Sequence, residues 1–172
     1  LVGGSGDDIL AGGAGADSLH GGSGEDTADY SASALAVTVN LETGVGSGGD
    51  ATGDTLAVGF IENVTGSAAN DHLTGDSGAN QLNGGAGNDT LVGGLGSDTL
   101  IGGLGVDTAD YSASGGAVSV SLSAGNGSGG TAQGDILSGI DNVLGSDHAD
   151  TLIGDSGVNL LDGGAGDDSL GG

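Results

Sequence analysis

Eleven side chains able to offer an oxygen to a cation recur at a nine-residue period: Asp8, Asp17 and Asp26, then Asp71, Asn80, Asp89, Asp98 and Asp107, then Asp150, Asn159 and Asp168. Carboxylates held at a fixed place in a repeat can bind a hard metal ion or, if their environments differ, work as acid and base. The rest of the composition favours the first chemistry. The chain has 21 Asp and 3 Glu, no Lys and no Arg, and a net charge of −24. Two carboxylates about 5 Å apart repel by roughly 3 kcal/mol at an effective dielectric of 20, so a fold that stacks them needs cations between them. Enzymes acting on acidic sugars need Lys or Arg to neutralise the substrate, and none is present, so no catalytic residue is expected. Nucleic acid and membrane insertion are not expected either, for want of basic residues and of any apolar run of about 18 residues.

The elements that position these oxygens follow from the frame around them. Each acidic residue stands sixth in a block of the form Gly-Gly-x-Gly-x-Asp-x-Leu-x, and the blocks fill three tracts, residues 3–29, 66–110 and 145–171. The eighth position is always apolar: Leu10, Leu19, Ala28, Leu73, Leu82, Leu91, Leu100, Ala109, Leu152, Leu161 and Leu170. One inward residue in nine cannot make an amphipathic helix, but it suits a three-residue strand after a six-residue turn. The 43 glycines supply the positive φ angles and close backbone approach such turns require.

Between the tracts lie residues 30–65 and 111–144. Each is entered through Asp-Tyr-Ser-Ala-Ser and continues with alternating apolar residues (Val37, Val39, Leu41; Val118, Val120, Leu122) up to Gly53 and Asp54 or Gly134 and Asp135. If two nonapeptides make one coil, the stretch 30–65 has the length of two coils, and these stretches are expected to continue the winding with longer strands. Residues 1–172 then form one continuous unit. Tyr30 recurs as Tyr111 after a span of nine whole nonapeptides, the pattern of a solenoid lengthened by duplication.

The nonapeptide closely resembles the RTX, or haemolysin-type, calcium-binding repeat. The resemblance implies an all-β fold, a right-handed parallel β-roll or β-helix solenoid, with several Ca²⁺ ions held between turn n and turn n+2. It further implies a ligand set: the second and fourth carbonyls and the Asp of one turn, with the first and third carbonyls and the Asp of the turn above. One ion is then expected among Gly4, Gly6, Asp8, Gly21, Ser23 and Asp26, and another among Gly85, Gly87, Asp89, Gly102, Leu104 and Asp107. The same rule pairs Asp71 with Asp89 through Gly84 and Ala86, Asn80 with Asp98 through Gly93 and Leu95, and Asp150 with Asp168 through Gly163 and Ala165. Asp17 is a ligand whose partner falls in residues 30–65. Turns opening at Gly66 and Gly145 lack the second and fourth glycines, so Ser67, Ala69, Ser146 and His148 must supply carbonyls there, with lower occupancy.

Other readings are weaker. Gly44-x-Gly46-x-x-Gly49 and Gly125-x-Gly127-x-x-Gly130 have dinucleotide-fingerprint spacing, but no helix-forming segment follows either. His20, His72 and His148 occupy different repeat positions and form no row. Tyr30 and Tyr111 are expected to pack where tract meets longer strand. The outward threonines at the seventh position are broken by Ser18, His72, Gln81 and Leu160, against an ice-binding array. Leu1, Val2 and Gly3 have no leader character, so the sequence reads as an interior part of a longer chain. Weak, numerous metal sites suit an exterior rich in free Ca²⁺. The expected parent is a bacterial adhesin, surface layer or extracellular filament exported by a type I system, with other copies of the repeat as neighbours. The alternative is a folding and secretion appendage of an exoenzyme or toxin.

Overall fold

The computed structural model describes residues 1–172, as twenty short strands in two ten-stranded sheets with two 3₁₀ turns, Gly49–Ala51 and Gly130–Ala132, and no α-helix. Neighbouring strands come from alternate nonapeptides and run parallel: Val2 faces His20, Leu73 faces Leu91, and Leu82 faces Leu100. Two nonapeptides therefore complete one coil and contribute one strand to each sheet, the arrangement of a β-roll.

Most strands hold the expected three residues, but Ser18–Ser23, Gln81–Ala86 and Thr99–Leu104 hold six. Pairing there runs on into the turn, with Gly85 opposite Gly103 and Ala86 opposite Leu104. Glycine at the first two turn positions lets adjacent coils stay within backbone hydrogen-bonding distance.

The eighth-position residues fill the space between the sheets. Leu19, Leu73, Leu82, Leu91, Leu100 and Leu152 are fully buried, Leu161 packs partly against the same core, and Leu170 on the last coil is 52 % exposed. Each buried leucine contributes roughly 2 kcal/mol from burial.

The intervening stretches depart from the expectation of two further helical coils. Within the first, Thr38–Asn40 pairs antiparallel with Val45–Ser47, which pairs antiparallel with Thr55–Leu56. The chain leaves Thr27–Asp29, skips two strand positions in the opposite sheet, and fills them by folding back, so that Thr55–Leu56 lies beside Ser18–Ser23 and Thr38–Asn40 beside His72–Thr74. Ser119–Ser121, Asn126–Ser128 and Ile136–Ser138 repeat this meander in the other sheet. The sheets exchange because the chain passes from one sheet to the other seven times between Thr27–Asp29 and Thr108–Asp110, counting the meander as one visit, and seven is odd. Each meander turns at a glycine with left-handed φ, Gly44 (+68°) or Gly125 (+66°). Its middle strand carries glycine on the core side, since a Cβ on Gly46 or Gly127 would press on the carbonyl and Cβ of Ala51 or Ala132.

Candidate metal centre

The six-residue turns stack along both edges of the roll. In seven of them the second and fourth glycines have left-handed φ, as at Gly85 (+101°) and Gly87 (+118°), and no other residue type adopts such a φ anywhere. The second and fourth carbonyls then face the following coil: Gly4 O and Gly6 O stand over the Cα atoms of Gly22 and Gly24, and Gly85 O and Gly87 O over those of Gly103 and Gly105. The first carbonyl of the following turn faces back, Gly21 O over Gly3 and Gly93 O over Gly75. The third carbonyl has one lone pair in use, since Gly6 N–H donates to Ser23 O and Gly87 N–H to Leu104 O, both at 2.8 Å. Ser67, Ala69, Ser146 and His148 do turn their carbonyls toward Gly85, Gly87, Gly164 and Gly166, as the sequence requires of them.

The sixth-position side chains form a ladder on each edge. Along one, Asp8 N–H donates to Asp26 Oδ1, Asp26 N–H to Glu62 Oε2, Asn80 N–H to Asp98 Oδ1, and Asp98 N–H to Asp135 Oδ1, at 2.8–2.9 Å. The same bond joins Asp150 to Asp168. Along the other, Asp17 N–H donates to Asp54, Asp71 to Asp89, Asp89 to Asp107 and Asp107 to Asp141. The structure thus brings together Asp8 with Asp26, Asp71 with Asp89, Asn80 with Asp98, Asp89 with Asp107 and Asp150 with Asp168, together with the glycine and third-position backbone around each pair. It places Asp17 against Asp54 and Asp98 against Asp135, both inside the meanders.

The second carboxylate oxygen separates the rungs into three kinds. In Asp8, Asp26, Asp89, Asp98 and Asp107, Oδ2 is buried with no hydrogen-bond partner, and all five belong to turns with left-handed glycines. Such an oxygen strongly requires a cation. The surrounding donors are carbonyl and carboxylate oxygens, the set hard Ca²⁺ takes, and no group of three or more His, Asp or Glu side chains converges to suit a softer metal. The residues fit calcium, which supplies the missing positive charge.

A second kind is closed by its own turn. Asp71 accepts from Ser67 N–H, Ser67 Oγ and Val37 N–H, and Asp150 accepts from Ser146 N–H, Ser146 Oγ and Val118 N–H. Asn80 and Asn159 belong here too. Their oxygens accept the N–H groups of Asp76 and Asp155, and their amide nitrogens donate at 2.9 Å to Glu62 O and Asp141 O, which no carboxylate could do. In the third kind a phenol replaces the ion: Tyr30 donates to Asp54 Oδ2 at 3.0 Å and Tyr111 to Asp135 Oδ2 at 2.9 Å. Burial first, then the neighbouring Asp charge, holds both phenols well above their ordinary range, so they stay protonated donors.

Sequence reading missed Asp54, Glu62, Asp135 and Asp141, and gave the tyrosines only a packing role. Gly53 with Asp54 and Gly134 with Asp135 are visible as turn-ending pairs. Only the meander shows that they lie 37 residues, two coils plus one, from Asp17 and Asp98.

Burial, reinforced by neighbouring carboxylates, pushes the metal-free Asp89 up to about 6 and Asp98 up to about 7. An unfolded chain releases those protons near pH 4. The folded state therefore binds more protons across this window, and stability contributed below about pH 4 is lost as pH rises toward 7. In chelator, the strand signal in circular dichroism is expected to be stronger at pH 4.5 than at pH 7.5. In calcium the order reverses, because the ion must displace those protons.

A family model for the RTX calcium-binding nonapeptide repeat matches the chain in four copies, over residues 1–30, 56–91, 74–109 and 134–172, leaving out the greater part of each meander. No curated protein matches the chain. Nonapeptide frame, parallel two-sheet coil and family match agree: the chain belongs to the RTX calcium-binding repeat family.

Proposed function

We propose that residues 1–172 act as one continuous structural module that folds when calcium binds, within a bacterial protein that is secreted or attached to the cell surface, such as an adhesin, surface layer or extracellular filament. The observation that carries this reading is the set of five buried Asp oxygens without partners in a chain that has no Lys or Arg. The ions sit between the paired turns: Gly4, Gly6, Asp8, Gly21, Ser23 and Asp26 hold one, and Gly85, Gly87, Asp89, Gly102, Leu104 and Asp107 another. Weaker sites join Asp71 to Asp89 through Gly84 and Ala86, Asn80 to Asp98 through Gly93 and Leu95, and Asp150 to Asp168 through Gly163 and Ala165. Asp17 contributes only through Asp54. Millimolar free calcium outside the cell is the condition that keeps such sites filled. No helix is long and apolar enough to cross a membrane.

Support for a structural rather than an appended role comes from the way the meanders preserve the stack. Sheet order runs through both of them, and the second unit starts on the opposite sheet, so added units extend a rod. Small-angle scattering on one and two tandem copies tests this. In calcium the longest dimension is expected to grow in proportion to copy number, and in chelator the rod is expected to be lost. Two copies that collapse side by side would favour the appendage of an exoenzyme or toxin.

A further inference from the structure

We propose that each run of nonapeptides facing a meander ends in a calcium site of mixed origin, half from the last turn and half from a loop that lacks the Gly-Gly turn: turn 102–107 closed by Gly139 and Asp141, and turn 21–26 closed by Phe60 and Glu62. The proposal rests on the reading that the repeat turns bind calcium.

Three observations place these loops in the position of a following turn. In ordinary stacked turns the first glycine lies under the first carbonyl of the next turn, Gly3 under Gly21 O and Gly66 under Gly84 O. Over Gly21 that oxygen is Phe60 O, and over Gly102 it is Gly139 O. In ordinary stacked turns the Asp N–H also donates to the sixth-position carboxylate one coil on, as Asp71 does to Asp89. Asp26 N–H donates instead to Glu62 Oε2 at 2.8 Å, and Asp107 N–H to Asp141 Oδ2 at 2.9 Å. Finally, Asp26 and Asp107 are 0 % exposed, each with Oδ2 left unpartnered on the side where that loop oxygen stands.

The loop between turn 102–107 and the meander also leaves room. A cavity of about 180 Å³ is lined by Gly103, Gly105, Gly139 and Asp141. Its backbone is pinned from both sides. Glu62 and Asp141 donate their N–H groups to Asp26 O and Asp107 O, while their own carbonyls accept the Asn80 and Asn159 amides. Two carboxylates with backbone carbonyls make an all-oxygen set without an ideal octahedron, which suits Ca²⁺ over Mg²⁺. Residues 57–62 and 136–141 keep an acidic residue at the sixth place of the nine-residue frame, Glu62 nine before Asp71 and Asp141 nine before Asp150, but they lack glycine at the first two turn positions, so the Gly-Gly motif does not reveal these sites.

Native mass spectrometry in saturating calcium tests the assignment on the unmodified chain, Glu62→Gln, Asp141→Asn and the double variant. Each single variant keeps an oxygen to accept the ladder N–H and is expected to lose one ion, the double variant two. An unchanged count in the folded double variant would overturn the proposal while leaving calcium binding by the repeats intact. Absence of any bound calcium in the unmodified chain would overturn both. If the variants fail to fold, crystals of the unmodified chain grown in calcium decide: an anomalous peak is expected between Asp107 and Asp141, and a map without one refutes the site.

Discussion

Gly84→Ala is expected to lower the stability of the calcium-bound roll by about 2–4 kcal/mol although it removes no ligand side chain. The first-position glycine is where the carboxylate of its own turn folds back. An added Cβ at Gly84 would fall on Oδ2 and Cγ of Asp89, and the same overlap exists at Gly3, where the Asp8 oxygen would be 2.6 Å away. Relieving it means swinging the Asp89 carboxylate out. That removes the acceptor for Asp71 N–H. Overpacking costs about 1–3 kcal/mol and an orphaned N–H about 1 more. Gly115→Ala is the control, since a methyl group there meets nothing within 4 Å and φ is not left-handed. Urea unfolding of both variants at one calcium concentration checks the contrast, and equal midpoints would contradict it.

Tyr111→Phe should cost about 2–3 kcal/mol in saturating calcium and leave the number of bound ions unchanged. Asp135 is buried, with Oδ1 taken by Asp98 N–H and Oδ2 by the Tyr111 hydroxyl. Removing the hydroxyl leaves a charged acceptor unpaired in the interior, a loss of roughly 1.5–3 kcal/mol for a bond to a charged group. Burial already raises the Asp135 carboxyl, which the phenol's hydrogen bond opposes, so the variant should also take up a proton at higher pH than the parent. Urea unfolding and native mass spectrometry together read the outcome. A variant that loses an ion would show that the phenol supports a metal site instead of replacing one.

Much of this was legible in the residues themselves. Period nine, the apolar eighth position and the glycine pairs specify the coil, because each sets a local backbone requirement that the same residue satisfies. Pairing between alternate nonapeptides follows from two blocks per coil. What could not be read is where register depends on contacts between distant segments. Residues 37–41 and 118–122 alternate as strands must, but alternation does not say whether neighbours run parallel or antiparallel, so the expectation of plain coils fails at the meanders. Asn80 and Asn159 read as members of the ligand row because their use, an amide donated to a loop carbonyl, involves a partner 18 residues earlier in a loop that lacks the Gly-Gly turn. The tyrosines are visible as duplicates, but their carboxylate partners lie 24 residues away across a fold-back.

The three kinds of rung also explain why acidic residues so numerous can be stacked without basic partners. In five of the seven turns where glycine takes left-handed φ, a carboxylate oxygen is left bare and a cation is required. Where serine or tyrosine reaches the carboxylate, hydrogen bonds suffice. Calcium demand is therefore concentrated in Asp8, Asp26, Asp89, Asp98 and Asp107 and is not spread over all 24 acidic residues. Metal binding is then folding free energy for those rungs, and each filled rung positions the next.

The most direct test of calcium as a folding component is far-ultraviolet circular dichroism of the chain at pH 7.5 during calcium titration, with magnesium as the control. A disordered spectrum in chelator that converts cooperatively to a strand spectrum with calcium, and does not convert with magnesium, is the predicted result. A strand signal already complete in chelator would contradict the account.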